Sequence, residues 1–264
     1  MITWKISELV DSLSTYSADI DGVFELIFWM VAFWTTLCFM AFFYLLWKYR
    51  ARPGQKALYV AGESKEEKRW VTIPHFLVLI CDVFIIIAAV RVWYDVKQDQ
   101  PEEIDRQIRV ISQQWGWTFV DPGPDNEFDT EDDIVTVDDL YIQQGINYEY
   151  ILTSRDVLHD FSVPVFRLKQ DALPGREITG WFQATGNGAN GYMVNGGADS
   201  DSVVNLDDGL PEHMVYDVQC AEMCGIGHGI MNARIHILDE SQFGTWMDYN
   251  NPLRDRTVQL AVSE

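Results

Sequence analysis

Two thiols, an imidazole and a thioether fall close together in the run Cys220-Ala-Glu-Met-Cys224-Gly-Ile-Gly-His228-Gly-Ile-Met231. Soft sulfur donors with imidazole select copper or zinc. A thioether beside thiolate and imidazole points to copper that carries electrons, where Met is a weak axial ligand. Zinc has little use for Met, and its structural sites usually recruit a second Cys pair. The other cysteines, Cys38 and Cys81, lie in long apolar runs and read as small buried hydrophobes. Two other arrangements compete. Cys220 and Cys224 could be joined as a disulfide, the usual state of external cysteines, which leaves His228 and Met231 unexplained. Cys224, His228 and Met231 alone would make a mononuclear blue-copper site with Cys220 as a bystander. A second thiolate so near is better explained as a second bridge between metals.

These donors must be held by a rigid frame, and the sequence around them reads as β-structure. Ile108–Ile111, Trp115–Val120, Ile134–Val137, Tyr148–Thr153, Phe161–Leu168, Glu177–Gln183, Met214–Gln219 and Ala233–Leu238 are short segments rich in β-branched and aromatic residues. Turn clusters such as Asp121-Pro-Gly-Pro and Leu173-Pro-Gly separate them. No long amphipathic helix intervenes, so an antiparallel sandwich or barrel is expected rather than α/β. Residues 186–211, rich in Gly, Asn, Asp and Ser, read as an inserted surface loop, and Glu240–Tyr249 as a short terminal helix.

Ahead of this domain lie two apolar runs, 23–47 and about 72–94, each long enough to cross a bilayer. The first is too long, too far from the start and too poor in a cleavage site to be a signal peptide. The linking segment, 48–71, contains Lys48, Arg50, Arg52, Lys56, Lys65, Lys68 and Arg69. Short basic loops stay in the cytoplasm, so both termini and the β-domain are expected on the outer face of the cell membrane. The expected organisation is an external segment 1–22, a transmembrane hairpin 23–94 and an external domain 95–264. Asp82 falls in mid-span and should face a partner protein rather than lipid.

The 264-residue chain carries a net charge of −21. Lys/Arg and Asp/Glu balance at nine each in residues 1–94, so the whole excess falls on the outer domain. That balance excludes nucleic acid as a partner, because phosphates need basic contacts. It fits a heavily hydrated surface working in concentrated salt, and so a halophilic prokaryotic source.

The spacing Cys220-x-Glu222-x-Cys224-x-x-x-His228-x-x-Met231 resembles the dinuclear copper (CuA) motif of cytochrome c oxidase subunit II, the electron-accepting subunit of haem–copper terminal oxidases. Upstream, Ser154-Arg-Asp156-Val-Leu-His159 resembles that family's Ser-x-Asp-Val-x-His segment. Leu168-Lys169-Gln-Asp171-Ala-Leu-Pro174-Gly175-Arg176 and Gln114-Trp115-Gly-Trp117 also match it. Gly116, where many relatives carry a third aromatic residue, and the long acidic loop 186–211 depart from the pattern without touching a ligand.

The resemblance implies a two-helix hairpin followed by a cupredoxin-like Greek-key β-sandwich. It implies that Cys220 and Cys224 bridge two copper ions, that His159 and Met231 complete one copper, and that His228 and the main-chain carbonyl of Glu222 complete the other. The Glu222 side chain is implied as a ligand to magnesium shared with subunit I. Without that context it is a solvated loop acid. Trp115 is implied as the residue through which electrons arrive, against core packing as the plain account of a strand tryptophan. Trp117, two residues on, should share its face. Glu67 resembles the acid at a proton-uptake mouth, or is an ordinary charged loop residue. His75, His213 and His236 have no ligand-like company and read as structural.

The implied function is to take electrons from an external cytochrome c or small blue-copper protein and pass them to haem in subunit I. Oxygen is reduced there and protons are pumped, with no catalytic residue in this chain. Subunit I, further oxidase subunits and the lipid bilayer are the implied surroundings. Rival readings are the copper subunit of a nitric or nitrous oxide reductase and a membrane-tethered copper chaperone. The hairpin, Glu67 and Lys169-x-Asp171 argue against the reductase. Quinol-using relatives lack the copper ligands that are all present here.

Overall fold

The computed structural model describes residues 11–56, 59–186, 188, 191–194, 210 and 212–253, so most of the loop at 186–211 lies outside the described residues. Two units emerge: Asp19–Gln98, and Met1–Ala18 together with Asp99–Glu264.

The first unit is two long helices, α1 (Ser17–Lys48) and α2 (Lys65–Lys97), of 32 and 33 residues. Each is long and apolar enough to cross a membrane. α2 starts at a capping box. The Glu67 backbone N–H donates to Ser64 Oγ at 3.2 Å, and the Ser64 N–H donates back to Glu67 Oε2 at 3.1 Å. This satisfies two donors that a helix start otherwise leaves orphaned. Glu67 is therefore helical, not loop, and its carboxylate is engaged in the cap.

Among the described residues, the second unit is a β-sandwich of eleven strands closed by a short helix. One sheet runs β3 (Ile134–Val137), β2 (Gly116–Asp121), β1 (Arg106–Gln113), β5 (Asn147–Ser154), β8 (Ile178–Gln183). The other runs β4 (Asp139–Gln143), β11 (Asn232–Leu238), β10 (His213–Cys220), β6 (His159–Val163), β7 (Leu168–Ala172), with β9 (Tyr192–Val194) paired to β10. The inner faces alternate as a half-buried sheet requires: in β5, Tyr148, Tyr150 and Leu152 are buried while the residues between are not. Helix α3 (Glu240–Asn250) lays Phe243, Trp246 and Met247 onto Tyr141 and Leu238.

Two expectations need correction. The sheets are mixed rather than antiparallel, because β1 pairs with β5 and β4 with β11 in parallel. The segment Phe161–Leu168 is not one strand. Pro164, which has no N–H to give a ladder, opens a 3-10 turn, and Arg167 at φ 56° turns the chain into β7. The described stretch before α1 packs on the β-domain. Leu13 N–H donates to Val165 O and Thr185 N–H donates to Leu13 O, both at 2.8 Å. Ser14 Oγ donates to Phe166 O at 2.9 Å, and the Tyr16 ring meets Trp181 edge-on at 5.2 Å. Residues 13–16 thus belong to the outer unit.

Candidate metal centre

The donors come from two places on one sheet. His159 opens β6, Cys220 closes β10, and the loop from 221 to 231 returns as β11. Cys220 and Phe161 are register partners, and the Cys220 N–H donates to Met231 O at 3.1 Å. Strand pairing alone therefore sets His159, Cys220 and Met231 side by side, and the connecting loop folds Cys224 and His228 over them.

The reactive atoms converge. Cys220 Sγ lies 3.8 Å from Cys224 Sγ, 3.8 Å from His159 Nδ1 and 3.2 Å from the Glu222 carbonyl oxygen. Cys224 Sγ lies 3.7 Å from His228 Nδ1 and 3.7 Å from Met231 Sδ. The ligand atoms of His159, Cys220 and Cys224 all fall within 4.8 Å of one another. His159, Cys220, Cys224 and Met231 are buried, and His228 is half-buried. The sulfurs stand well beyond the bonded separation of about 2 Å, so the cysteines are free thiols, not a disulfide.

Burial and the neighbouring Cys220 push the Cys224 thiol up to about 11. A thiol so placed gives up its proton when a cation takes the proton's place. Two soft sulfurs, two imidazoles, a thioether and a carbonyl are a donor set that would fit copper. The six residues carried over from the resemblance are all at this site.

Sequence reasoning quoted Asp156 without giving it a task. Its Oδ1 lies 2.9 Å from His159 Nε2, which leaves Nδ1 aimed at Cys220. A carboxylate on the far ring nitrogen fixes the tautomer and orientation of a ligating histidine. Asp156 Oδ2 also accepts from the Gln114 N–H at 2.7 Å, and Gln114 Nε2 donates to the Cys224 carbonyl at 2.7 Å. Burial alone would raise the Asp156 carboxyl, but the hydrogen bonds from His159, Gln114 and Val157 outweigh it and hold it below the usual carboxylate range. The signal was an acid three residues before a histidine in a turn.

The two tryptophans do not share a face. Trp117 lies in β2, fully buried, with its ring centroid 6.3 Å from that of His159. Trp115 lies before the strand and is 43% exposed, with Nε1 donating to Cys224 O at 3.3 Å. Its ring rests on the metal loop: a Cβ on Gly227 would come within 2.4 Å of the indole, and Gly225 adopts φ +119° beneath the same ring. Around it Met223, Ile226 and Ile230 are strongly exposed, with Val157 and Leu158 at the margin.

The remaining histidines are placed otherwise. His213 Nε2 lies 2.7 Å from His236 Nδ1, and His236 Nε2 lies 2.9 Å from Asp139 Oδ1. The three sit at the other end of β10 and β11 from the thiols. His75 is exposed on α2.

Residues 106–193 match the family model described as "Cytochrome C oxidase subunit II, periplasmic domain", a match that includes His159 and ends before Cys220. The chain is 25% identical over 268 residues to the alternative cytochrome c oxidase subunit 2 of Bradyrhizobium diazoefficiens, covering 92% of this chain and 84% of that one. It is 28% identical over 195 residues to the probable cytochrome c oxidase subunit 2 of Rickettsia prowazekii, covering 69% of this chain and 52% of that one. It is 27% identical over 224 residues to cytochrome c oxidase subunit 2 of Alkalihalophilus pseudofirmus, covering 83% and 55%. The chain thus spans most of the first relative and about half of the other two. Residues 106–193 are thus similar to the periplasmic domain of cytochrome c oxidase subunit II, and the chain along most of its length to a cytochrome c oxidase subunit 2.

Proposed function

We propose that this chain is the electron-input subunit of a haem–copper terminal oxidase and that its outer domain holds a dinuclear CuA centre. The observation that carries the reading is the convergence of two free thiols, two imidazoles, a thioether and a carbonyl within one buried cluster. Bridging thiolates would spread one electron's charge over two metals, so little geometry changes on reduction and transfer is fast. In this reading Cys220 and Cys224 bridge, His159 and Met231 serve one copper, and His228 and the Glu222 carbonyl serve the other. The Glu222 carboxylate is offered to magnesium at the junction with subunit I, a hard oxygen donor for a hard cation. Glu67 as a proton-uptake acid belongs to the same proposal, although the helix cap already accounts for its position.

The chain's own residues support electron uptake at Trp115. The indole is exposed on one side and hydrogen-bonded on the other to the carbonyl of Cys224. The exposed Met223, Ile226 and Ile230 of the same loop offer apolar surface for docking. A membrane position with both termini outside is supported by the N-terminal residues 13–16. They fold into the outer unit, so two spans return the chain to the side from which it started.

The acid excess bears on the donor. If the source is halophilic, the −21 serves mainly hydration. At 1 M salt the Debye length is roughly 3 Å, so exposed charges barely sense a partner beyond contact. Docking then rests on apolar contact around Trp115, which suits an acidic blue-copper donor as well as a cytochrome c. The second-order rate of reduction by the native donor should hold or rise as salt is raised to molar levels, and Trp115→Ala should slow it severely. A steep fall with salt would overturn the apolar-docking reading. Copper titration of the apo chain tests the centre itself: uptake should end at two coppers per chain. An endpoint at one would return the blue-copper reading.

A further inference from the structure

The two residues between β1 and β2, Gln114 and Trp115, touch both halves of the candidate ligand set. Gln114 gives its backbone N–H to Asp156 Oδ2 at 2.7 Å, and the other oxygen of that carboxylate faces His159 Nε2 at 2.9 Å. Its side chain reaches the opposite way, with Nε2 donating to the Cys224 carbonyl at 2.7 Å. Trp115 Nε1 donates to the same oxygen at 3.3 Å. A carbonyl oxygen has two lone pairs, so one dipeptide fills the acceptor capacity of Cys224.

The loop is shaped for this contact. Gly225 follows Cys224 at φ +119°, a conformation that side chains rarely adopt, and a Cβ there would come within 2.9 Å of Gln114 Nε2 and 3.4 Å of Trp115 Nε1. The bare glycine lets the Cys224–Gly225 peptide lie against both donors. Strand pairing cannot replace them. It sets Cys220 beside Phe161, next to His159, but β10 ends at Cys220 and Cys224 lies beyond it in the loop. Gln114 is itself exposed, so its side chain adds little to the core. Gln113, one residue earlier, is directed elsewhere, its Oε1 accepting from Arg155 at 2.9 Å.

We propose that Gln114 is a positioning residue of the metal centre. It spans from the carboxylate that orients His159 to the carbonyl of Cys224, and so fixes the separation of the two segments that bring the ligands. This rests on the reading of the site as a dinuclear copper centre. Two thiolates bridge evenly only where both are held midway between the metals. With its carbonyl released on one side, Cys224 is free to lean toward one of them. Outer hydrogen bonds of this kind orient ligands without touching the metal. The same turn presents Trp115 to solvent, so an electron donor that docks there presses on the residues that hold the bridge.

The test compares the full wild-type chain with Gln114→Leu, which keeps the backbone N–H to Asp156 and removes only the side-chain donor. Gln113→Leu is the control. Each is loaded with copper, and four quantities are read: coppers per chain, copper affinity by competition with a chelator, the paramagnetic resonance spectrum, and the melting temperature of the apo chain. Gln114→Leu should still take two coppers, with affinity lower by about tenfold and with unequal hyperfine couplings to the two nuclei. Its apo melting temperature should equal that of wild type, and Gln113→Leu should match wild type throughout. Wild-type affinity or equal couplings in Gln114→Leu would overturn the positioning role, as would the same losses in Gln113→Leu. A lower apo melting temperature in Gln114→Leu would place the residue in the fold rather than at the site, and would overturn it too. A wild-type chain whose uptake ends at one copper would overturn the dinuclear reading instead, and the role of Gln114 with it.

Discussion

Strands β10 and β11 carry a histidine-containing cluster at each end, and the two have opposite character. At one end, His213, His236 and Asp139 close on one another through hydrogen bonds of 2.7 and 2.9 Å, with Arg234 on the same carboxylate. Tyr141 stacks on His236 at 4.0 Å, and Trp246 on Tyr141 at 4.8 Å. At the other end, Cys220, Cys224, His159, His228 and Met231 converge through sulfur contacts of 3.7–3.8 Å on one common space. The same residue type is thus a strut in one place and a candidate ligand in the other. What separates them is whether the polar atoms are satisfied by their neighbours or converge on a common space.

The sharpest way to break that contrast is to remove one bridging sulfur. Cys220→Ser should abolish the dinuclear centre, seen as loss of the second copper per chain, while the circular dichroism of the sandwich is kept. Retention of two coppers would mean that Cys220 is not a bridge.

Next in size is Asp156→Ala, which frees the His159 ring without touching the metal. Copper affinity should fall by about 10–100-fold, the usual cost of losing a ligand's outer partner. An unchanged affinity would show that strand pairing alone orients His159.

Asp139→Ala probes the satisfied end. Removing the acceptor shared by His236 and Arg234 should lower stability to denaturant by about 2 kcal/mol, with copper content unchanged. Acid offers a second probe. Burial alone would raise the Asp139 carboxyl, but His236 and Arg234 overcome this and hold it below the usual carboxylate range. A depressed carboxylate contributes stability above its unfolded pKa and loses it as pH falls through the folded value. The contribution should therefore be intact at neutral pH and vanish on acidification below about pH 4. An Asp139→Ala chain whose acid unfolding tracks the wild type would refute it.

The smallest effect should come from Met231→Leu, which keeps both coppers and raises the reduction potential, since a weak axial donor tunes a site rather than holding it. Loss of copper would contradict the assigned role.

The residues that converge at the candidate metal centre were legible in the sequence because they are a local pattern: one loop with fixed offsets, plus one histidine in its own short motif. Strands with clear alternation were legible for the same reason, and Ile134–Val137 coincides with β3. Less visible were features that depend on distant partners. β4 is held by parallel pairing with β11, nearly a hundred residues later. Leu13 and Ser14 find Val165, Phe166 and Thr185 across the domain, and nothing around Leu13 announces it. The separation of Trp115 from Trp117 was hidden because strict alternation assumes that both lie in the strand. Trp115 sits outside β2, where Gly225 and Gly227 leave room for the indole.

The central claim, that the thiols, imidazoles and thioether hold two copper ions sharing one unpaired electron, has one direct measurement. The electron paramagnetic resonance spectrum of the copper-loaded chain should show hyperfine coupling to two equivalent copper nuclei. The splitting of a single copper nucleus would contradict it and leave Cys220 outside the site.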